Sequence, residues 1–262
     1  MAVKICKRLL IMALVLGGAL LLFKQLLGMK AQYKDHFTDR ALGVCVSYEM
    51  KQQQLAELSQ LKKLSCQKDG IRSLDGLEQL TGLEQLYLQG NALQSLEGMG
   101  SMPALKVISV ANNKQLKTLK GLEGATGLQE FQGNLNTELR DISAVSNLTK
   151  LRIFAAMQAN ISDISALTRL DQLEEVILNH NQIRDISALG HKPALQRVQL
   201  YSNPIESVAP LLSNMNMSLV GIGGKGNDKR HLCQDTVALQ EQMVGGGVLY
   251  GPEACDYLLS GN

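Results

Sequence analysis

The chain has 262 residues, with 26 Lys and Arg against 24 Asp and Glu and a formal net charge of +2. Both signs are mixed along its length, which excludes the basic stripe that a nucleic-acid binder carries. The absence of Trp also argues against a polysaccharide or peptidoglycan binder, which needs aromatic stacking platforms.

Lys4, Lys7 and Arg8 open the chain and precede an uncharged apolar run from Leu9 to Phe23. After Lys24, residues Gln25 to Met29 continue the run weakly. A basic start before such a run is a secretory targeting segment. The run is short for a spanning helix, but Lys24 can snorkel and extend the usable length to roughly 20 residues. No small-x-small cleavage site or lipobox cysteine follows. Residues 1–29 therefore read as a basic tip and one transmembrane signal anchor, in contact with the bilayer through residues 9–29. A removed signal peptide is the alternative. The basic cluster puts the amino terminus in the cytoplasm and the remainder outside it. A short linker spans residues 30–38. Gly28 to Phe37 reach at most roughly 35 Å when extended, which keeps the exported part near the membrane.

Residues 39–60 form a cap, with a helix predicted from about Asp39 to Gln53. From Leu61 a pattern returns every 22 or 23 residues, restarting at Leu83, Leu105, Leu128, Leu151, Leu173 and Leu195. In the unit at Leu83, apolar residues follow at Leu86, Leu88, Leu93 and Leu96, with Asn91 among them. The form L-x-x-L-x-L-x-x-N-x-L marks a leucine-rich-repeat solenoid. The predicted fold is an α/β horseshoe arc with a parallel concave sheet, running over residues 61–228 as seven full units and a partial eighth. At about 4.8 Å per strand it is roughly 35 Å long. Each unit stacks on the next because none can bury its apolar face alone.

Two polar columns are structural. Asp69, Asn91, Asn113, Asn136, Ala159, Asn181 and Asn203 stand where the chain leaves the strand and its backbone loses ladder partners. An amide can satisfy such groups and Ala159 cannot, so the fifth unit is expected to be weak unless Asn160 or a water substitutes. Ser73, Ser95, Thr118, Asp141, Asp163, Asp185 and Ser207 are expected to cap 3₁₀-like turns on the convex side.

Residues 229–262 form a second cap. Asp235 to Val244 and Pro252 to Leu259 read as two short helices around the turn Gly245–Gly247, with Asp235 as N-cap and Pro252 in a first turn. Of the five cysteines, Cys6 falls on the cytoplasmic side. Cys45 and Cys66 lie at one end of the solenoid, and Cys233 and Cys255 at the other. An even set in an exported domain reads as disulfides. Distance along the rod excludes cross-pairing, leaving Cys45–Cys66 and Cys233–Cys255. Each bridge is worth about 3 kcal/mol in the chain-entropy model.

The 22-residue period, the run Asn181–Leu189 (N-x-I-x-D-I-S-A-L), Asn203-Pro204-Ile205 and the segment Phe37-x-Asp39-x-x-Leu42-x-x-x-Val46 resemble the internalin-type leucine-rich-repeat proteins of bacteria. The resemblance covers roughly residues 37 to 222 and implies binding of another protein through the concave face. No cell-wall sorting signal follows the repeats, unlike the surface-anchored members. The expected place is therefore the bacterial inner membrane, with the solenoid in the periplasm. Secretion after cleavage is the alternative.

No motif points to an enzyme. Gly221 to Gly226 match a bare G-x-G-x-x-G but lack its strand–turn–helix setting. His36, His180, His191 and His231 are scattered, so no metal, cofactor or small-molecule substrate is expected. Asn147-Leu148-Thr149 and Asn160-Ile161-Ser162 match the glycosylation sequon within the repeat consensus. On the concave face, apolar side chains gather at Ile153, Ala155, Met157 and Ile177, with Tyr201 nearby and Glu175 and Arg197 beside them. Tyr87 and Val107 are further candidates on the same face. An apolar patch rimmed by charge is the signature of a protein-binding surface. The expected partner is a protein that is membrane-proximal or part of an envelope complex. A secreted or cell-surface adhesin acting on another cell is the alternative.

Overall fold

The computed structural model describes residues 36–223, 230–243, 247–252 and 255. The basic tip, the apolar run, Cys6, Gly224–Gly226 and most of Pro252–Leu259 lie outside them. Among the described residues no helix is long and apolar enough to cross a membrane.

Every repeat contributes one three-residue strand whose middle residue points inward. The strands are β1 (Lys63–Ser65), β2 (Gln85–Tyr87), β3 (Val107–Ser109), β4 (Glu130–Gln132), β5 (Ile153–Ala155), β6 (Glu175–Ile177), β7 (Arg197–Gln199) and β8 (Leu219–Gly221). They pair in sequence order, all parallel, with Leu64, Leu86, Ile108, Phe131, Phe154, Val176, Val198 and Val220 aligned along the core. All eight are fully buried. The second inward position of each unit reads Cys66, Leu88, Val110, Gly133, Ala156, Leu178, Leu200 and Ile222. It shrinks to Gly and Ala where the first becomes Phe. The Phe131 and Phe154 rings stack with centroids 5.2 Å apart. A Cβ at Gly133 would stand 2.6 Å from the Phe131 ring. Volume is conserved along the core by exchanging size between the two columns.

The asparagine column works as a ladder. Asn91 Nδ2 donates to Cys66 O and Leu88 O at 2.7 and 2.9 Å, and its Oδ1 accepts from Asp69 N and Ile71 N. Asn113, Asn136, Asn181 and Asn203 repeat this. Three of these carbonyls, Leu88 O, Val110 O and Leu178 O, therefore accept from two amides. Leu88 O takes Asn91 and Asn113, and Leu178 O takes Asn181 and Asn203. At Ala159 the ladder thins without breaking. Gly133 O keeps Asn136 and Ala156 O keeps Asn181. Ala159 therefore strands neither carbonyl, because the amides on either side each serve one, but the side-chain acceptor that Asn136 Oδ1 offers to Asn113 N has no counterpart at Ala159.

On the convex side all seven capping side chains accept the expected bond. Asp141, Asp163 and Asp185 accept from the N–H two residues on at 2.8–2.9 Å. Ser73, Ser95, Thr118 and Ser207 do so at 3.1–3.3 Å. The first three of these turns are built on glycine. Gly121 has φ +102°, and a Cβ there would lie 2.1 Å from Leu96 O. From Asp141 onward a 3₁₀ turn replaces the glycine, as at Ser143–Val145, Ser165–Leu167 and Ser187–Leu189.

Both ends are closed. Helix α1 (Arg40–Gln52) begins at the N-cap Asp39, whose Oδ1 accepts from Ala41 N at 2.8 Å. Its Oδ2 accepts from Arg72 N and Ser73 N at 2.7 and 3.2 Å, so one carboxylate both starts the helix and fastens it to the first convex turn. Burial alone would raise the Asp39 pKa, but these backbone donors outweigh it and hold it below the ordinary 3.8. Cys45 on α1 is bonded to Cys66, and Cys233 to Cys255.

The far cap holds the first of the two expected helices, and the second, Pro252–Leu259, lies mostly outside the described residues. Helix α2 spans Cys233–Gln242, with Leu232 rather than Asp235 at its N-cap position. Asp235 stands inside the first turn, where it accepts from the Ser207 hydroxyl at 3.4 Å. After it comes strand β9 (Val248–Tyr250), parallel to β8. A β-rich triplet beside the exposed β8 backbone extends the ladder, so the cap adds a ninth strand between the glycine-rich turn and Pro252.

Candidate concave binding surface

Register decides which outward side chains meet. Ile153 on β5 lies between Glu130 and Glu175, and Ala155 lies beside Ile177. Met157 follows β5, and its N–H donates to Asn134 Oδ1 at 2.8 Å. Ile153, Met157 and Ile177 are half-buried, whereas Ala155 is 4% exposed. Side chains converge on the inside of a curved sheet, so the smallest is covered by its neighbours. Ala155 is therefore a floor residue of the patch, and Ser109, 1% exposed on the same face, is enclosed in the same way.

Glu175 and Arg197 form an ion pair at 2.7 Å on adjacent strands, beside Ile153 and Ile177. Tyr201 comes two residues after β7. Its ring lies over Gly221, where a Cβ would come within 2.4 Å of it, and 6.2 Å from the ring of Tyr250. That contact accounts for the glycine at the start of the bare G-x-G-x-x-G string. Burial pushes the Tyr201 phenol above its ordinary pKa, aided by the neighbouring Tyr250.

Tyr87 and Val107 do not join the group. They stand on β2 and β3, three and two strands from Ile153, or about 14 and 10 Å at the usual spacing. The Tyr87 ring instead carries Lys63 Nζ 5.2 Å from its centroid. Among the described residues the only groups spaced as metal ligands are Cys45, Cys66 and Asp69. The first two are spent in a disulfide.

The structure also shows exposed apolar side chains that the repeat pattern hid. Leu135 is 41% exposed and Tyr250 53%. Tyr250 was hidden because β9 carries no repeat consensus. Leu135 occupies the position just before the asparagine column, where the other units have Lys68, Gly90, Asn112, Gln158, His180 and Ser202. Every residue in that column has positive φ, between 53° and 74°.

No family model matches the chain, and no curated protein matches it. Solved structures do. An internalin C2 from Listeria monocytogenes superposes with a TM-score of 0.68 at 19% identity, over 84% of this chain and 95% of that one. The fold is a leucine-rich-repeat solenoid of the internalin kind. An internalin (inlF) from the same organism matches at 18% identity over 80% of this chain and 82% of that chain, with a TM-score of 0.40. A plant peptide hormone receptor, RGFR1, in complex with RGF2, matches at 19% identity and a TM-score of 0.50. That match covers 63% of this chain and only 28% of the receptor. At these identities the likeness concerns the fold.

Proposed function

We propose that this protein is a membrane-anchored, exported leucine-rich-repeat module that binds or scaffolds a protein partner in the bacterial envelope, without catalysis. The observation that carries this is the grouping of Ile153, Met157 and Ile177 on two adjacent strands, floored by Ala155 and edged by the Glu175–Arg197 pair. A sheet whose core is closed on its other side has no folding reason to present aliphatic side chains to water, and such patches are where proteins meet. The two end disulfides fit an oxidising compartment. The basic residues ahead of Leu9–Phe23 and the linker of residues 30–38 support a tether, which makes a modest intrinsic affinity sufficient.

In-cell photo-crosslinking from position 177, with convex position 187 as control, tests the reading. One protein captured from 177 and not from 187 is the expected result. Equal adducts from both positions, or none, would remove the concave face as the working surface. Mass analysis of the protein from cell membranes tests the tether: retention of Met1–Met29 is expected, and a mature form lacking it would make the module a secreted one.

A further inference from the structure

Leu135 is the one apolar residue of its column, where the other units have Lys68, Gly90, Asn112, Gln158, His180 and Ser202. Its φ is +65°, the left-handed conformation that the whole column shares. Leu135 also leaves its side chain in water. An apolar side chain left exposed in a column that is otherwise polar or glycine, beside an apolar patch, points to a use outside the fold.

Its surroundings give that use a direction. The Leu135 N–H donates to Met157 O at 2.7 Å, so Leu135 sits at the carboxyl rim of the sheet beside the end of the Ile153–Met157 row. At the other end of its own strand is Glu130, in register with Ile153. Leu135 is five positions on from Glu130, at most about 16 Å at strand spacing. Glu175, on the far side of Ile153, is neutralised by Arg197. Glu130 accepts from the Gln132 amide and has no cationic partner among the described residues. The result is a strip across the sheet, with Leu135 and Met157 at the carboxyl rim and, at the other end, Ile153 beside the carboxylate of Glu130.

We propose that Leu135 is the rim anchor of the partner site. The occupant is a polypeptide segment that crosses the concave face parallel to the strands, apolar where it meets Leu135, Met157 and Ile153, with a Lys or Arg over Glu130. This rests on the concave-face reading above and specifies the chemistry and direction of the bound segment.

The test uses the full chain in phosphatidylethanolamine–phosphatidylglycerol nanodiscs. A random 15-residue peptide library is panned against it, and the enriched peptides are synthesised and titrated by fluorescence anisotropy. Enriched sequences are expected to carry a cation at one end of an apolar row. Their affinity should fall about ten-fold or more in Leu135→Asn, as for an interface anchor. In Glu130→Gln the fall should be about two- to five-fold, with loss of salt dependence. Leu135→Asn should melt no lower than the wild type, since Asn accepts this backbone conformation, so a binding defect is not a folding defect. Peptides that resist Leu135→Asn but are lost in Ile177→Lys would overturn the anchor and leave the concave reading standing. Peptides indifferent to both variants, or a library with no concave binder, would overturn both. Self-association that Leu135→Asn abolishes would assign the strip to a second copy of the chain and likewise overturn the proposal.

Discussion

Asp39 makes four backbone hydrogen bonds from one carboxylate, two within α1 and two to the convex turn of the first unit. Removal in Asp39→Ala is expected to cost about 2 kcal/mol, the upper end for a helix cap because the inter-element bonds are lost too. Chemical denaturation compared with the wild type checks it. The pH dependence has a definite sign. The folded pKa of Asp39 lies below its ordinary 3.8, so its stabilisation is complete at neutral pH and is lost as the pH falls through that lowered value. The acid limb of a stability–pH profile should be flatter in Asp39→Asn. At Gly133 the constraint is space. A methyl group there meets the Phe131 ring at 2.6 Å, so Gly133→Ala should cost about 1–3 kcal/mol by overpacking, read from its melting curve. The cap residue was legible in the sequence, because an Asp before an amphipathic run is a helix start. The Phe–Gly exchange was not, because it depends on which two columns share volume across the core.

Among the elements, the asparagine ladder yields the sharpest comparison. Asn113→Ala leaves Leu88 O with Asn91 and Val110 O with Asn136, so no carbonyl is stranded. Asn181→Ala removes the amide on which Ala156 O depends, because Ala159 offers none. The second variant should be less stable than the first by about 1–3 kcal/mol, the cost of an unpaired buried group. Ala159→Asn should gain about 1 kcal/mol by completing the column. Equal losses in Asn113→Ala and Asn181→Ala, measured by urea unfolding, would show that the thinning at Ala159 has no energetic weight. Strands and convex turns were readable from period and capping chemistry, since each is a local signal repeated many times. The ninth strand was not. Val248–Tyr250 has no repeat partner, and only the open backbone of β8 makes it a strand. The concave site was half legible. Column positions located Ile153, Met157 and Ile177, whereas curvature buried Ala155 and exposure singled out Leu135.

For the molecule as a whole, each unit contacts mainly its neighbours, so stability is a chain of interfaces closed at both ends. Each bridge joins cysteines 21 or 22 residues apart, Cys45–Cys66 at the amino-terminal end and Cys233–Cys255 at the other. Reduction should therefore fray the rod from its ends. Hydrogen exchange with and without reductant is expected to show α1, β1, α2 and β9 losing protection first, with β4 to β6 retaining theirs. Uniform loss along the sheet would mean that the units unfold as one. A last consequence comes from the 23-residue spacing between β3 and β4 and between β4 and β5, where the neighbouring units keep 22. The additional residue falls between the asparagine and the convex cap, in the stretches Asn113–Thr118 and Asn136–Asp141. The strands on either side remain in register, Val107 against Glu130 and Glu130 against Ile153. Length can thus vary on the descending side of the coil while the opposite face keeps its spacing, which makes those two stretches natural points of insertion. A lineage, or a designer, could lengthen the molecule's back there and leave what its front recognises unchanged.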